Sequence, residues 1–195
     1  MKKVWTLIAI ISLLSATALR SRAEGLENSD SSEYLIKAGF IYNFAKLVEW
    51  PTTAFAQSDS PIVISILGDD PFGTTLDRIV ADKKINGRGF VVKRLKWASG
   101  VKDLKDCNIL FVSSSEKEHM DSVVDAVKWL PILTIGDGPG FARRGGIMNF
   151  TLEDNKIRFE VNVEAAKHAD LTISSRLLTL ARIVQQVAAD GRKPE

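Results

Sequence analysis

The chain has 195 residues, 45% of them apolar, with 26 basic and 24 acidic side chains for a formal charge of +2. That is the make-up of one ordinary globular domain, and its near-neutral total gives no sign of the basic excess that a nucleic-acid footprint requires. Cys107 is the single cysteine, which excludes an internal disulfide and every paired-cysteine redox or zinc motif.

The N-terminus reads as an export signal. Lys2 and Lys3 precede the apolar run VWTLIAIISLL and the small-residue tract Ser15-Ala16-Thr17-Ala18, the order of a secretory signal peptide. Cleavage is expected after Ala18 or after Ala23. The run falls short of the ~20 apolar residues a membrane span needs, and no cysteine lies near either site to carry a lipid. Residues 1–23 hold Lys2, Lys3, Arg20 and Arg22 and no acid, so cleavage at Ala23 leaves 22 basic against 24 acidic residues, a net charge of −2. Residues 24–195 form one expected domain, with no repeat or second domain in the pattern.

Asp30 and Glu33 have the spacing of a capping box. They would open the helix YLIKAGFIYNFAKLVEW, which Pro51 ends. Its apolar residues cover more than half the helical wheel, whereas a helix on the outside of a sheet needs a stripe only about 100° wide. Either the helix is wedged inside its own domain, or Phe40 and Phe44 belong to a subunit or partner interface. A buried strand at Ile62–Leu67 follows, running into GDDPFG, then a helix near Thr75–Ala81 and a strand at Phe90–Leu95. Asn108–Val112 reads as a third strand, and Ser115 with Glu118 as a capping box for a helix reaching Trp129. Pro131 stops that helix, and Ile132–Ile135 leads into the loop GDGPGFARRGG. Ile147–Leu152 and Lys156–Val161 flank the turn Glu153-Asp154-Asn155 as a hairpin. Helices at Val163–His168 and Ser175–Ala189 complete the expected order. The fold class is α/β: a largely parallel mixed sheet flanked by helices, with a C-terminal antiparallel hairpin.

Little in this pattern supports catalysis. GDGPGFARRGG places Arg143 where a dinucleotide loop needs its third glycine, and it lacks the lysine and hydroxyl of a phosphate loop. It also leads into a strand, so no helix N-terminus would face a bound phosphate. It is either a turn whose arginines meet solvent or a recognition loop. His119 and His168 lack metal-ligand spacing, and Glu116 with His119 reads as a solvated face. Ser113, Ser114 and Ser115 have no nucleophile elbow around them. Asp69 and Asp70 follow the first strand, where ligands often bind, yet Pro71 and Gly73 make a turn the simpler reading. Cys107, beside an apolar run, reads as a buried thiol, with an intermolecular disulfide as the alternative. No cofactor and no metal are expected.

The segment FARRGGIMNFTLEDNKIRFEVNVEAAKHADLTISSRLLTLARIV, preceded by LTIGDGPG, resembles the C-terminal signature of the YfiR-like periplasmic repressor family. FAKLVEWP, ILGDDPFG and CNILFVSSSE resemble its other blocks in the same order, so the likeness runs from Tyr34 to Val184. The resemblance implies a small periplasmic, non-enzymatic α/β protein that binds the periplasmic domain of an inner-membrane diguanylate cyclase and holds it inactive. An outer-membrane lipoprotein would draw the repressor away, and cyclic di-GMP and biofilm formation would rise. A homodimer is expected, and nucleic acid is not a partner. The resemblance makes Phe141, Arg143, Arg144, Asn149, Arg158 and Asn162 the candidate surface, with the two loop arginines as charged contacts and Phe141 as an apolar anchor. In the alternative reading the domain senses a small anionic ligand, held by the same arginines, for another membrane receptor. A hydrolase using Asp69, Asp70 or the serines is the third.

Overall fold

The computed structural model describes residues 32–97 and 104–187. The export signal, both cleavage sites and the Asp30 cap lie outside the described residues. Residues 32–47 form helix α1, whose Ala38, Ile41, Phe44 and Ala45 recur at helical spacing and are buried. The Phe44 ring stacks on Phe150 at 5.8 Å between centroids and tilts onto Phe159 at 4.9 Å. Phe40, half-buried, meets the same two rings at 6.2 and 5.6 Å. The broad apolar surface of this helix is therefore used largely inside the domain. Phe44 is core and closed to any partner, which corrects its place in an expected interface, and Phe40 presents only part of its ring.

The helix stops at residue 47 rather than running on to Trp50. Val48–Glu49 (β1) instead pair antiparallel with Thr172–Ile173 (β8), Val48 opposite Ile173. This two-stranded clip binds the end of α1 to the C-terminal part of the chain.

The main sheet has seven strands. They are Ile62–Leu67 (β2), Phe90–Leu95 (β3), Ile109–Val112 (β4), Leu133–Gly136 (β5), Met148–Glu153 (β6), Lys156–Val161 (β7) and Arg182–Ile183 (β9), in the order β3-β2-β4-β5-β6-β7-β9. Strands β3 to β6 are parallel, β7 returns antiparallel to β6, and β9 lies parallel to β7. The expected architecture, a largely parallel mixed sheet with an antiparallel hairpin, is present. Asp154 and Asn155 both have positive φ, 50° and 57°, as a two-residue hairpin turn matched to strand twist requires.

Helices cover both faces. On one face α1 and Thr75–Val80 (α2) pack over Ile64, Ile66, Ile109, Phe111 and Ile135. On the other, Met120–Val127 (α3) sets Met120, Val123, Val124 and Val127 against Leu67, Leu110 and Val112. Strand β4 contributes alternately to the two cores, and all four of its residues are buried, as expected of a central parallel strand.

Two helix expectations are corrected. Ser115 does not cap α3: its hydroxyl accepts from the Asp69 backbone N–H at 3.0 Å, joining the exits of β2 and β4, and the helix starts only at Met120. Ser113 takes the capping role on a short 3-10 turn at Ser114–Glu116. Among the described residues the C-terminal segment is helical only over Ser175–Leu178 (α5), and Arg182–Ile183 then joins β7. There the Val184 N–H donates to the Val161 carbonyl at 2.9 Å, and Val184 is buried. Long-range pairing beyond the hairpin outweighs local helix propensity, which is worth only tenths of a kcal/mol per residue.

Cys107 is 7% exposed, and its thiol donates to the Leu104 carbonyl at 3.2 Å. That seclusion closes it to a cysteine of a second chain. Burial pushes the thiol up from 9.0 to about 12, so the stability gained by keeping it neutral is complete below pH 9 and is lost as pH rises toward 12. The native protein at pH 8 is expected not to react with a thiol reagent until denatured; full labelling of folded protein within minutes would contradict this burial.

Candidate functional site

Strand β5 ends at Gly136, in register with Asn149 near the start of β6. Phe150–Glu153 of β6 and their partners on β7 therefore run on past the end of β5. Loop 137–147 fills part of this notch and leaves a cleft of about 420 Å³ between α1, the loop and the hairpin.

The loop's glycines serve packing. Phe141 is fully buried at 0% exposure, and a Cβ added at Gly136 or at Gly146 would each stand 2.2 Å from its ring. Gly145 takes φ 101° to close the 3-10 turn Ala142–Arg144, a conformation that favours glycine. Phe141 is thus a plug in the core and not a surface anchor, which corrects its assigned role. Asn149 and Asn162, both buried, are also structural. The Asn149 amide donates to the carbonyls of Gly136 and Gly138 at 3.1 and 2.9 Å. The Asn162 amide donates to the Ala142 carbonyl at 2.9 Å, while its oxygen accepts from the Ala165 N–H at the start of Val163–His168 (α4). These three residues hold the loop; they do not face a partner.

The arginines do. Arg143 reaches Glu160 at 3.1 Å, a carboxylate whose side chain is only 6% exposed. Arg144 forks onto Asp121 of α3 at 2.7 and 2.6 Å. Its hydrogen bonds hold the Asp121 carboxyl below the usual carboxylate range. Both guanidinium groups keep nearly half their surface open. Arg158, exposed on β7 opposite Thr151, has no ion-pair partner among the described residues.

The floor of the cleft holds a cluster that sequence reasoning missed. Lys37 is buried, with its ammonium 2.5 Å from Asp137 and 2.5 Å from Glu33. The Tyr34 hydroxyl donates to Asp137 at 2.6 Å, and Lys37 lies over the Tyr34 ring at 4.5 Å. Glu33 and Lys37, four apart on one helix, were a legible local pair; Asp137 lies 100 residues away in sequence, beyond any periodicity. Beside the cleft, Ile36, Phe40, Leu152 and Ile157 line an open groove of about 750 Å³ that shares Glu33 and Leu152 with it.

The other candidates are not assembled into a reaction centre. The Asp70 carboxylate accepts from the Phe72 N–H at 2.8 Å and from Arg94 at 2.9 Å, and Arg94 also pairs with Asp77. Asp70 is therefore a turn staple. His119 pairs with Glu116 at 2.9 Å and stacks on Trp97. Among the described residues no group of three or more His, Cys, Asp or Glu side chains is placed to hold a metal ion.

The profile of the YfiR/HmsC-like family matches residues 34–182, from the Tyr34 of the cluster to the start of β9. The chain belongs to the YfiR/HmsC-like family. That family is regulatory rather than catalytic, and periplasmic. No helix among the described residues of this YfiR/HmsC-like chain is long and apolar enough to cross a membrane. No curated protein matches it significantly. Among solved structures it is similar to an ABC domain in complex with L-Trp from Streptococcus pneumonia, at a TM-score of 0.49 and 12% identity over 63% of this chain and 55% of that one. It is also similar to a conserved domain protein from Vibrio cholerae O1 biovar El Tor, at 0.47 and 14% over 62% and 54%. The chain thus spans little more than half of either protein, and likenesses this distant bear on neither activity nor ligand.

Proposed function

We propose that this protein is a periplasmic repressor that binds the periplasmic domain of an inner-membrane diguanylate cyclase and holds it inactive, so lowering cyclic di-GMP and biofilm formation. The observation that carries the docking surface is the groove beside the cleft. There Ile36 and Leu152 are 48% and 57% exposed next to half-buried Phe40 and Ile157. An apolar trough of this kind suits the apolar face of a partner helix, and Arg143 supplies a charged group in the adjoining cleft. The same surface would serve an antagonist such as an outer-membrane lipoprotein, or a second copy of the chain. A small anionic ligand is less well served: Lys37 and Arg143, the cations lining the cleft, are already paired with carboxylates.

The test is the variant Ile36→Glu, Leu152→Glu. Both positions are exposed, where substitutions usually shift stability by within about 0.5 kcal/mol. Affinity for the cyclase's periplasmic domain, measured by calorimetry, should fall at least ~10-fold, the equivalent of 1.4 kcal/mol, and cellular cyclic di-GMP should rise. A folded variant with unchanged affinity and unchanged repression would remove the groove from the mechanism.

A further inference from the structure

The near-neutral total conceals an uneven distribution. Residues 82–106 carry eight basic side chains against three acidic ones. Those among the described residues belong to the connection from α2, the edge strand β3 and the approach to β4. Among the described residues strand β3 is paired only with β2. Lys83 and Lys84 precede its N-terminal end, Lys93 lies within it, Lys96 follows its C-terminal end, and Lys105 precedes β4. Six residues of strand span about 20 Å, so Lys83, Lys84, Lys93 and Lys96 are distributed along the length of β3, and Lys105 lies before β4, two strands in.

All five lysines are exposed, and none has an ion-pair partner among the described residues. The two arginines of the margin are engaged. Arg94 is held by Asp70 and Asp77, and Arg88 donates to the Gln57 and Ser60 carbonyls. Elsewhere Lys37, Lys128 and Lys167 each have a carboxylate partner.

We propose that this margin docks the protein on the anionic phospholipid headgroups of the membrane. Protein interfaces favour arginine and aromatic side chains and are depleted in lysine. The one large apolar side chain of β3 that is exposed is Val91, at 40%. A row of free, strongly hydrated point charges on flexible stems, with no apolar anchor, fits a diffuse anionic surface better than a shaped protein pocket. Such a contact would hold a periplasmic regulator against the bilayer that carries its membrane partner. The inference takes the periplasmic compartment from the proposed function and nothing from the partner's identity.

The experiment is co-sedimentation of the full mature protein with vesicles of phosphatidylethanolamine and phosphatidylglycerol, against vesicles of phosphatidylcholine. Binding to the anionic vesicles alone is expected, weakening as salt shortens the Debye length to about 8 Å. Each lysine near such a surface contributes roughly fivefold. The variant Lys83→Glu, Lys93→Glu, Lys96→Glu should therefore partition at least 30-fold more weakly, and the matching glutamine variant should fall between. Both should keep wild-type circular dichroism and wild-type affinity for the cyclase domain in lipid-free solution. Three results would overturn the proposal. The first is no binding to anionic vesicles at low salt, which would leave the lysines as guards against strand pairing at a sheet edge. The second is vesicle binding that survives the charge reversal. The third is loss of cyclase-domain binding without lipid, which would make the margin a protein interface.

Discussion

Replacing Phe141 by alanine should destabilise the protein by ~3–5 kcal/mol, the usual range for removing a buried phenylalanine ring. The ring occupies space that Gly136 and Gly146 leave open, and it packs in the core shared with Leu110, Val112 and Met120. Neither glycine has a side chain to fill the resulting void. Urea unfolding should show the loss as a shift in midpoint at unchanged slope. Partner binding should weaken as well, because Phe141 immediately precedes the turn that carries Arg143 and Arg144. Filling the space from the other side, by Gly136→Ala, should cost about 1–3 kcal/mol through overpacking. If Phe141→Ala cost less than ~1 kcal/mol, well below the range for buried aromatic truncations, the residue would not be a core plug, and a role at the surface would return.

Lys37→Met should be comparably damaging, at ~3–5 kcal/mol, because it strands the buried Asp137 carboxylate without its cation. Asp137 would keep the Tyr34 hydroxyl, while Glu33, more open to water, would be less affected. The decisive comparison is the double variant Lys37→Met, Asp137→Leu. Replacing both members of a buried pair by apolar groups is often close to neutral, so the double should be more stable than the Lys37→Met single. Strictly additive losses in this cycle would show that the two residues are not coupled. This pair fastens α1 to loop 137–147 beside the proposed docking groove, so the Lys37→Met single should also lower affinity for the partner, and the double should recover part of it.

These residues show where sequence reading works and where it stops. Glu153-Asp154-Asn155 announced the β6–β7 turn, which the structure narrows to Asp154-Asn155, since a two-residue hairpin needs positive φ at both positions and aspartate and asparagine tolerate it. The apolar run at Ile62–Leu67 announced a buried strand and Asn108–Val112 another strand, and both are present. The segment Ser175–Ala189 misled, since its helical spacing is real but the open edge of β7 offered backbone partners that outweighed it. Within the candidate loop and its neighbours, the sequence did not separate buried side chains such as Phe141, Asn149 and Asn162 from exposed ones such as Arg143 and Arg144. Glycine-rich stretches and neighbouring aromatic or amide side chains look alike in sequence whether they serve a ligand or a close-packed core.

By itself the sequence determined the α/β class, the six longer strands along the chain, the hairpin, the absence of an internal disulfide and the family, because periodicity, turn chemistry and residue blocks are local properties of the chain. Tertiary structure alone decided that Phe141, Asn149 and Asn162 face inward while Arg143, Arg144 and Arg158 face outward. It also brought Lys37 to Asp137 across 100 residues and set four unpaired lysines along the edge strand of the sheet. The reason is physical: burial and ion pairing depend on which surfaces meet after the chain folds back on itself, and no spacing along the chain encodes that distance.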